Sequence, residues 1–229
     1  MLQGAIHNPV IHSRPKRRRL PSLKVLIPGL CALMILAALG AWLSTRTHVM
    51  SLGSEQQLLD SGVYAQWAKG KVIVLIRHAE RCDRSSNPCL DDPTGITKSG
   101  SQAALEVGNG LQRLGLENTD ILASPEVRTQ QTAHFIFGKA IVIRDWIGQC
   151  DSSFPKAALQ NKRPDYNLVL VTHSGCIDHV ERQLKVPGGE REAEYASALF
   201  ISMDKQGKAR ILGQMNANEW RKIVASAGN

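Results

Sequence analysis

Apolar positions fall into two patterns along the chain. From Val25 to Leu43, nineteen consecutive positions (VLIPGLCALMILAALGAWL) carry no charge, close to the roughly 20 residues that cross a bilayer core as a helix. Downstream, the apolar runs are short and alternate with amphipathic stretches. KVIVLI at 71–76 is rich in β-branched residues and reads as a buried parallel strand. Within 96–115, Ala104, Val107, Leu111 and Leu114 recur at helical spacing, with Ser99 as the expected N-cap and Gly115 as the stop. DILAS at 120–124 reads as a second strand, and 126–138 as a second helix opened by Pro125 and closed by Gly138. AIVIRD and YNLVLVTH give two further strands, and ALFISMD with ARILGQM a closing antiparallel hairpin that turns around 205–207. The polar stretch 44–66 reads as a connector with a short helix within 55–66.

Strands alternating with helices predict an α/β domain with a largely parallel sheet, preceded by one N-terminal hydrophobic helix. The layout expected is a basic N-terminus at 1–24, the apolar segment at 25–43, the connector at 44–66 and the domain at 67–229. Neither an internal repeat nor a long low-complexity tract interrupts it.

Charge sharpens this layout. The net charge of +8 is concentrated at the start: Arg14, Lys16, Arg17, Arg18, Arg19 and Lys24 precede the apolar run with no acid among them. The remainder carries 22 basic against 20 acidic residues, so the domain itself is nearly neutral. With no aromatic residues interleaved in the basic cluster, nucleic acid is not an expected partner. A basic flank stays on the cytoplasmic side, which predicts the N-terminus inside and everything after Trp42 outside. The segment then serves as a signal peptide or a signal-anchor. Its length favours an inner-membrane anchor through residues 25–43, while Ala38 and Gly40 offer small residues for cleavage.

Cysteine usage fits an oxidising compartment. Apart from Cys31 in the apolar run, Cys82, Cys89, Cys150 and Cys176 form an even set with no C-x-x-C pair. Four cysteines allow three pairings. Cys82 with Cys89 and Cys150 with Cys176 is the favoured one, though spacing leaves the others open.

Parallel sheets bind ligands beyond the carboxyl ends of their strands, where helix N-termini also present N–H groups. Three polar segments occupy such positions: RHAER after the strand at 71–76, SPEVRT after 120–123, and THSG after 168–171. If those strands are neighbours, Arg77, His78, Arg81, Arg128 and His173 meet in one pocket suited to a phosphate.

These segments resemble the motifs of the histidine phosphatase superfamily, the phosphoglycerate mutase-like fold. RHAER is similar to its R-H-G-x-R signature, with Ala79 in the glycine's place, and GITKSGSQAA, SPEVRTQQTA and VTHSG match three further motifs in order over about 71–180. RHAERCDRSSNPCL, QC and HSGC, behind an export segment, resemble the bacterial group acting on heptose(II) phosphate of the lipopolysaccharide core. The resemblance implies a three-layer fold, mostly parallel sheet flanked by helices, and a phosphoric monoester hydrolase.

It also assigns roles. His78 is the expected nucleophile, because a neutral imidazole nitrogen can attack phosphorus and form a phosphohistidine that water hydrolyses. Arg77, Arg81 and Arg128 are the expected phosphate ligands, since forked guanidinium groups both position and neutralise the phosphoryl oxygens. His173, when protonated, adds a further donor. Ser124 and Thr129 read as helix-capping residues, and Glu80 as a residue that orients its turn. The general acid is the weakest part of the match. Ser174, not an acid, follows His173, and in IRDWIGQCDSS the available acids are Asp145 and Asp151, of which Asp151 is the expected donor. No metal and no cofactor are implied. The expected substrate is a phosphorylated sugar, a heptose of the lipopolysaccharide core, met in the periplasm. The alternatives are a broad periplasmic phosphomonoesterase and a non-catalytic module binding phosphorylated lipopolysaccharide.

Overall fold

The structure is a computed structural model and describes residues 23–204 and 206–226. The basic residues Arg14 to Arg19 and the hairpin tip at Lys205 lie outside the described residues. Two compact units divide at Thr45 and Arg46. The first contains helix α1 (Leu23–Ser44), with Pro28 inside it. Its stretch Ile27–Ser44 is long and apolar enough to cross a membrane, with a mean hydropathy of 2.0, and Leu30, Leu33, Met34 and Leu36 are exposed along it.

The second unit opens with α2 (Glu55–Ser61) and α3 (Val63–Trp67). It continues with β1 (Val72–Arg77), α4 (Lys98–Leu114), β2 (Thr119–Ala123), α5 (Val127–Phe137) and β3 (Val142–Ile143). There follow α6 (Phe154–Gln160), β4 (Asn167–Thr172), α7 (Ser174–Gln183), β5 (Ala198–Met203), β6 (Ala209–Met215) and α8 (Ala217–Ser226). The single helix expected within 55–66 is broken in two. Gly62, at φ 78°, ends α2 in the left-handed region that glycine enters without a Cβ clash, and its N–H reaches Leu59 O.

Among the described residues, six strands form one sheet in the order β3-β2-β4-β1-β5-β6. The first four run parallel, and β5 and β6 add an antiparallel hairpin at the β1 edge. Period-2 alternation divides the core between the two faces. Val72, Val74, Ile76, Val169 and Val171 point toward the core formed with α4, α5 and α8, whereas Ile73, Leu75, Leu168 and Leu170 point toward that formed with α6 and α7. Helices on both faces explain why VIVLI at 72–76 and LVLV at 168–171 are apolar throughout and not alternating.

Of the stretch 44–66 expected as a connector, residues 46–66 belong to this unit and pack into it. Leu52, Leu58 and Val63 are fully buried, and Leu52 N–H donates to Gln214 O on β6. The N-cap of α4 is Thr97 and not Ser99: Thr97 Oγ1 accepts from Gly100 N–H at 2.9 Å, while Ser99 Oγ donates to Glu80. Two disulfides, Cys82–Cys89 and Cys150–Cys176, match the favoured pairing.

Candidate active site

β4 lies between β2 and β1, and register aligns their carboxyl ends. Arg77 pairs with Thr172 and Ala123 with Val171. Each of the next residues is fixed by one more ladder-like bond, His78 N–H to Thr172 O at 2.9 Å and Ser124 N–H to Val171 O at 3.1 Å. Three loops separated by dozens of residues therefore leave the sheet side by side, at the end where ligands bind in parallel sheets.

His78 and His173 stand edge to face with ring centroids 5.3 Å apart. His78 is only 3% exposed. Its Nδ1 lies 2.9 Å from Ala79 O, and because a carbonyl only accepts, Nδ1 carries the proton and Nε2 keeps its lone pair. Burial lowers the His78 pKa to about 3; the Ala79 bond opposes this, while His173, Arg128 and Arg77 add to the lowering. The ring is thus neutral and nucleophilic across physiological pH.

The same reasoning fixes His173. Arg128 Nη2 sits 3.3 Å from its Nδ1, and a guanidinium only donates. The proton is then on Nε2, which faces Glu126 Oε2 at 3.0 Å and Ser124 Oγ at 2.9 Å. Burial depresses the His173 pKa; Glu126 opposes this, while Arg128 and Arg81 add to it. With its Nδ1 lone pair facing the Arg128 guanidinium, the ring carries one proton, on Nε2 beside a carboxylate, so the further donor that protonation would add is not present.

Arg77 and Arg128 flank the imidazoles. Arg77 Nη1 donates to Ala193 O at 2.7 Å and its guanidinium lies 3.8 Å from the centre of the Tyr195 ring. Tyr195 also lies 5.7 Å from the His78 ring. The Nε groups of both Arg77 and Arg128 are buried without a partner among the described residues, donors that an anion could satisfy. Burial lowers the pKa of each, but an arginine remains cationic. Arg81 joins the rim: its charge acts on Arg77, Arg128 and His173. Its own fork is taken by Asp83, with Nε donating to Oδ1 at 2.7 Å and Nη2 to Oδ2.

Motif residues outside this pocket hold the loops that form it. Glu80 accepts from Ser85, Asn87, Thr97 and Ser99. These bonds, led by that from Asn87, hold its pKa at about 2 and tie the loop after β1 to the start of α4. Thr132 Oγ1 accepts from Ala79 N–H at 2.9 Å, joining α5 to the same loop. Neither Ser124 nor Thr129 caps a helix as expected: the N-cap position of α5 is Glu126, without a side-chain cap bond, Thr129 Oγ1 donates to Ser124 O and Glu126 O, and Ser124 Oγ is bonded to Glu126 and His173.

Asp151 is not joined to the pair of imidazoles. Its Oδ1 accepts from Ser153 N–H at 2.7 Å and Ser153 Oγ at 2.6 Å, closing the turn before α6, and it is exposed. Turn residues of this type satisfy backbone donors locally, which is why an acid in the right stretch of sequence is engaged elsewhere. Glu126 is the carboxylate the site does contain, and sequence reasoning missed it. The only signal was its position inside SPEVRT, between a strand end and a site arginine. Burial raises the Glu126 pKa, but the bond from Ser124 Oγ and the neighbouring His173 outweigh this and hold it below the usual carboxylate range.

No family model matches the chain. The chain is 35% identical over 186 residues to the lipopolysaccharide core heptose(II)-phosphate phosphatase of Escherichia coli strain K12, covering 80% of this chain and 91% of that protein. The enzyme of the same name from Escherichia coli O139:H28 is also 35% identical, over 185 residues, covering 79% of this chain and 90% of the relative. Among solved structures, the protein histidine phosphatase SixA complexed with tungstate superposes with a TM-score of 0.52 at 17% identity, over 64% of this chain and 97% of that one. That likeness is one of fold.

Proposed function

Since the chain belongs to the lipopolysaccharide core heptose(II)-phosphate phosphatases of the histidine phosphatase superfamily, and is a phosphoric monoester hydrolase, we propose that it removes phosphate from a heptose of the lipopolysaccharide core through a phosphohistidine at His78. The observation carrying this reading is the pair of buried neutral imidazoles 5.3 Å apart, with His78 Nδ1 bonded to Ala79 O so that Nε2 is free to attack. Arg77 and Arg128, whose Nε donors have no partner among the described residues, bind the phosphoryl oxygens and neutralise charge as the bond to the leaving oxygen lengthens. Arg81 contributes once the phosphate competes with Asp83 for its fork.

An anionic glycolipid that crosses the inner membrane is a substrate consistent with the rest of the chain. The apolar helix near the N-terminus, the basic residues before it and two disulfides in the domain support export, with the domain in the periplasm.

The test combines two measurements on the purified protein. With phosphorylated core oligosaccharide, the wild type releases phosphate and the His78→Ala variant loses at least about 10³-fold of that rate. After mixing with substrate and quenching, the wild type retains acid-labile, base-stable phosphate, and the variant none. Equal turnover by His78→Ala removes the phosphohistidine mechanism. Rapid release from simple phosphomonoesters, with none from the oligosaccharide, points to the broad phosphomonoesterase.

A further inference from the structure

The phosphohistidine reading leaves the leaving oxygen without a proton, and the acid singled out by sequence is used in a turn. We propose that Glu126 supplies this proton and then recovers it from the attacking water, in concert with His173; the proposal rests on the function inferred above.

Three observations carry it. Glu126 Oε2 lies 3.0 Å from His173 Nε2, and Ser124 Oγ bonds both groups, so the carboxylate is held against the second imidazole and not free to swing with solvent. Its seat depends on Gly148: a Cβ there would meet Glu126 Oε1 and Ser124 Oγ at 3.0 Å, closer than side chains ordinarily approach. Finally, exposure is graded across the site. The His78 residue is 3% exposed and the His173 side chain 11%, whereas the Glu126 side chain is 33% exposed. In-line attack by a buried nitrogen drives the leaving oxygen away from that nitrogen, and Glu126 is the solvent-reaching carboxylate bonded to the second imidazole. Asp151 has no such placement, with its Oδ1 bound to Ser153.

The proton balance closes without a further reactant. A phosphate monoester binding as its monoanion gives its proton to the ionised Glu126. His78 Nε2 then attacks phosphorus. As the N–P bond forms, the P–O bond to the sugar breaks with its electron pair on the sugar oxygen, which takes the proton from Glu126 and leaves as the alcohol. In the second half, water attacks phosphorus while Glu126 removes one of its protons. The N–P bond breaks, its pair returns to Nε2, and phosphate leaves as the monoanion with the proton that Glu126 holds. His173 donates its Nε2 proton to the carboxylate throughout and keeps it in position; it does not itself change protonation.

Leaving-group dependence distinguishes this from a structural role. p-Nitrophenolate leaves without protonation, whereas the alkoxide of a sugar phosphate does not. In rapid mixing with the full chain, Glu126→Gln is expected to keep the burst of nitrophenol from p-nitrophenyl phosphate within about threefold of wild type, because that half-reaction needs no acid. It then accumulates acid-labile phosphate on His78, because hydrolysis has lost its base. With hexose 6-phosphate or core oligosaccharide, phosphoenzyme formation should slow by about 10²-fold or more, the usual range for general acid catalysis. Bursts from both substrates falling equally would mean that Glu126 only shapes the site, and overturns the proposal. So does a Glu126→Gln variant unchanged on both, or the same leaving-group pattern in Asp151→Asn. A wild type that forms no phosphoenzyme on His78 with any substrate overturns the underlying reading as well, so the two failures are told apart.

Discussion

At the scale of single residues, the environment sets what each imidazole does. His78 titrates near 6.5 in an unfolded chain and at about 3 when folded, because burial penalises the charged ring. Between those values the unfolded state binds a proton that the folded state refuses. Stability from this group is therefore complete above pH 6.5 and is lost as pH falls from 6.5 toward 3, by up to about 1.4 kcal/mol per pH unit. His78→Asn should flatten that part of the stability profile, measured by urea unfolding at pH 7.5, 5.5 and 4.5. An identical slope in the variant would show that the ring charges within the fold. The same depressed pKa means that acid between pH 6.5 and 4.5 leaves the His78 ring neutral in the folded state. Site residues were recognisable because each follows an apolar strand within a dense motif. Glu126 was not, because its partner His173 is 47 positions away and nothing in SPEVRT reveals that contact.

At the scale of elements, close packing decides how α4 meets its neighbours. A Cβ on Gly108 would overlap the backbone carbonyl of Ile136 in α5, and one on Gly110 the ring of Trp220 in α8. Gly to Ala within a helix ordinarily gains about 1 kcal/mol in propensity. At position 108 the obstacle is backbone, which cannot rotate away, so Gly108→Ala should cost about 1–3 kcal/mol net as α4 and α5 are forced apart. Asn109→Ala, one residue on and on the exposed face, should gain a few tenths of a kcal/mol. Chemical denaturation of both variants checks the contrast, and a stabilised Gly108→Ala would mean that the two helices have slack between them. The sequence predicted α4 from its apolar stripe, but its glycines looked like weak points in a helix. Only the crossing of α5 and α8 explains them.

At the scale of the whole molecule, export and disulfide chemistry are linked. The domain holds two disulfides, and Cys31 in α1 is free. If the chain crosses the membrane with its domain outside, the full-length protein recovered from cells by acid quenching and alkylation should have at most the Cys31 thiol labelled. A version starting at Arg46, retained in the cytoplasm, should have four labelled thiols, those of Cys82, Cys89, Cys150 and Cys176. Labelling of all of these in the full-length chain would argue against a domain outside the cytoplasm. Each bridge is expected to contribute about 2–4 kcal/mol. Cys150–Cys176 also ties the loop after β3 to the first turn of α7, whose N-cap is His173.

The sequence by itself determined the α/β class, the strands at β1, β2, β4, β5 and β6, and which loop ends carry charge. These depend on short-range properties: runs of β-branched residues, helical spacing and motif order over a few residues. Tertiary structure decided what those properties cannot contain. The strand order brings β2, β4 and β1 side by side, β3 is reduced to two residues at the edge, and the segment 46–66 joins the core through Leu52, Leu58 and Val63. It also decided which acid meets the imidazoles. Proton position, burial and the choice between Glu126 and Asp151 depend on groups brought together from distant parts of the chain, and only the folded arrangement fixes which of them share a low-dielectric space.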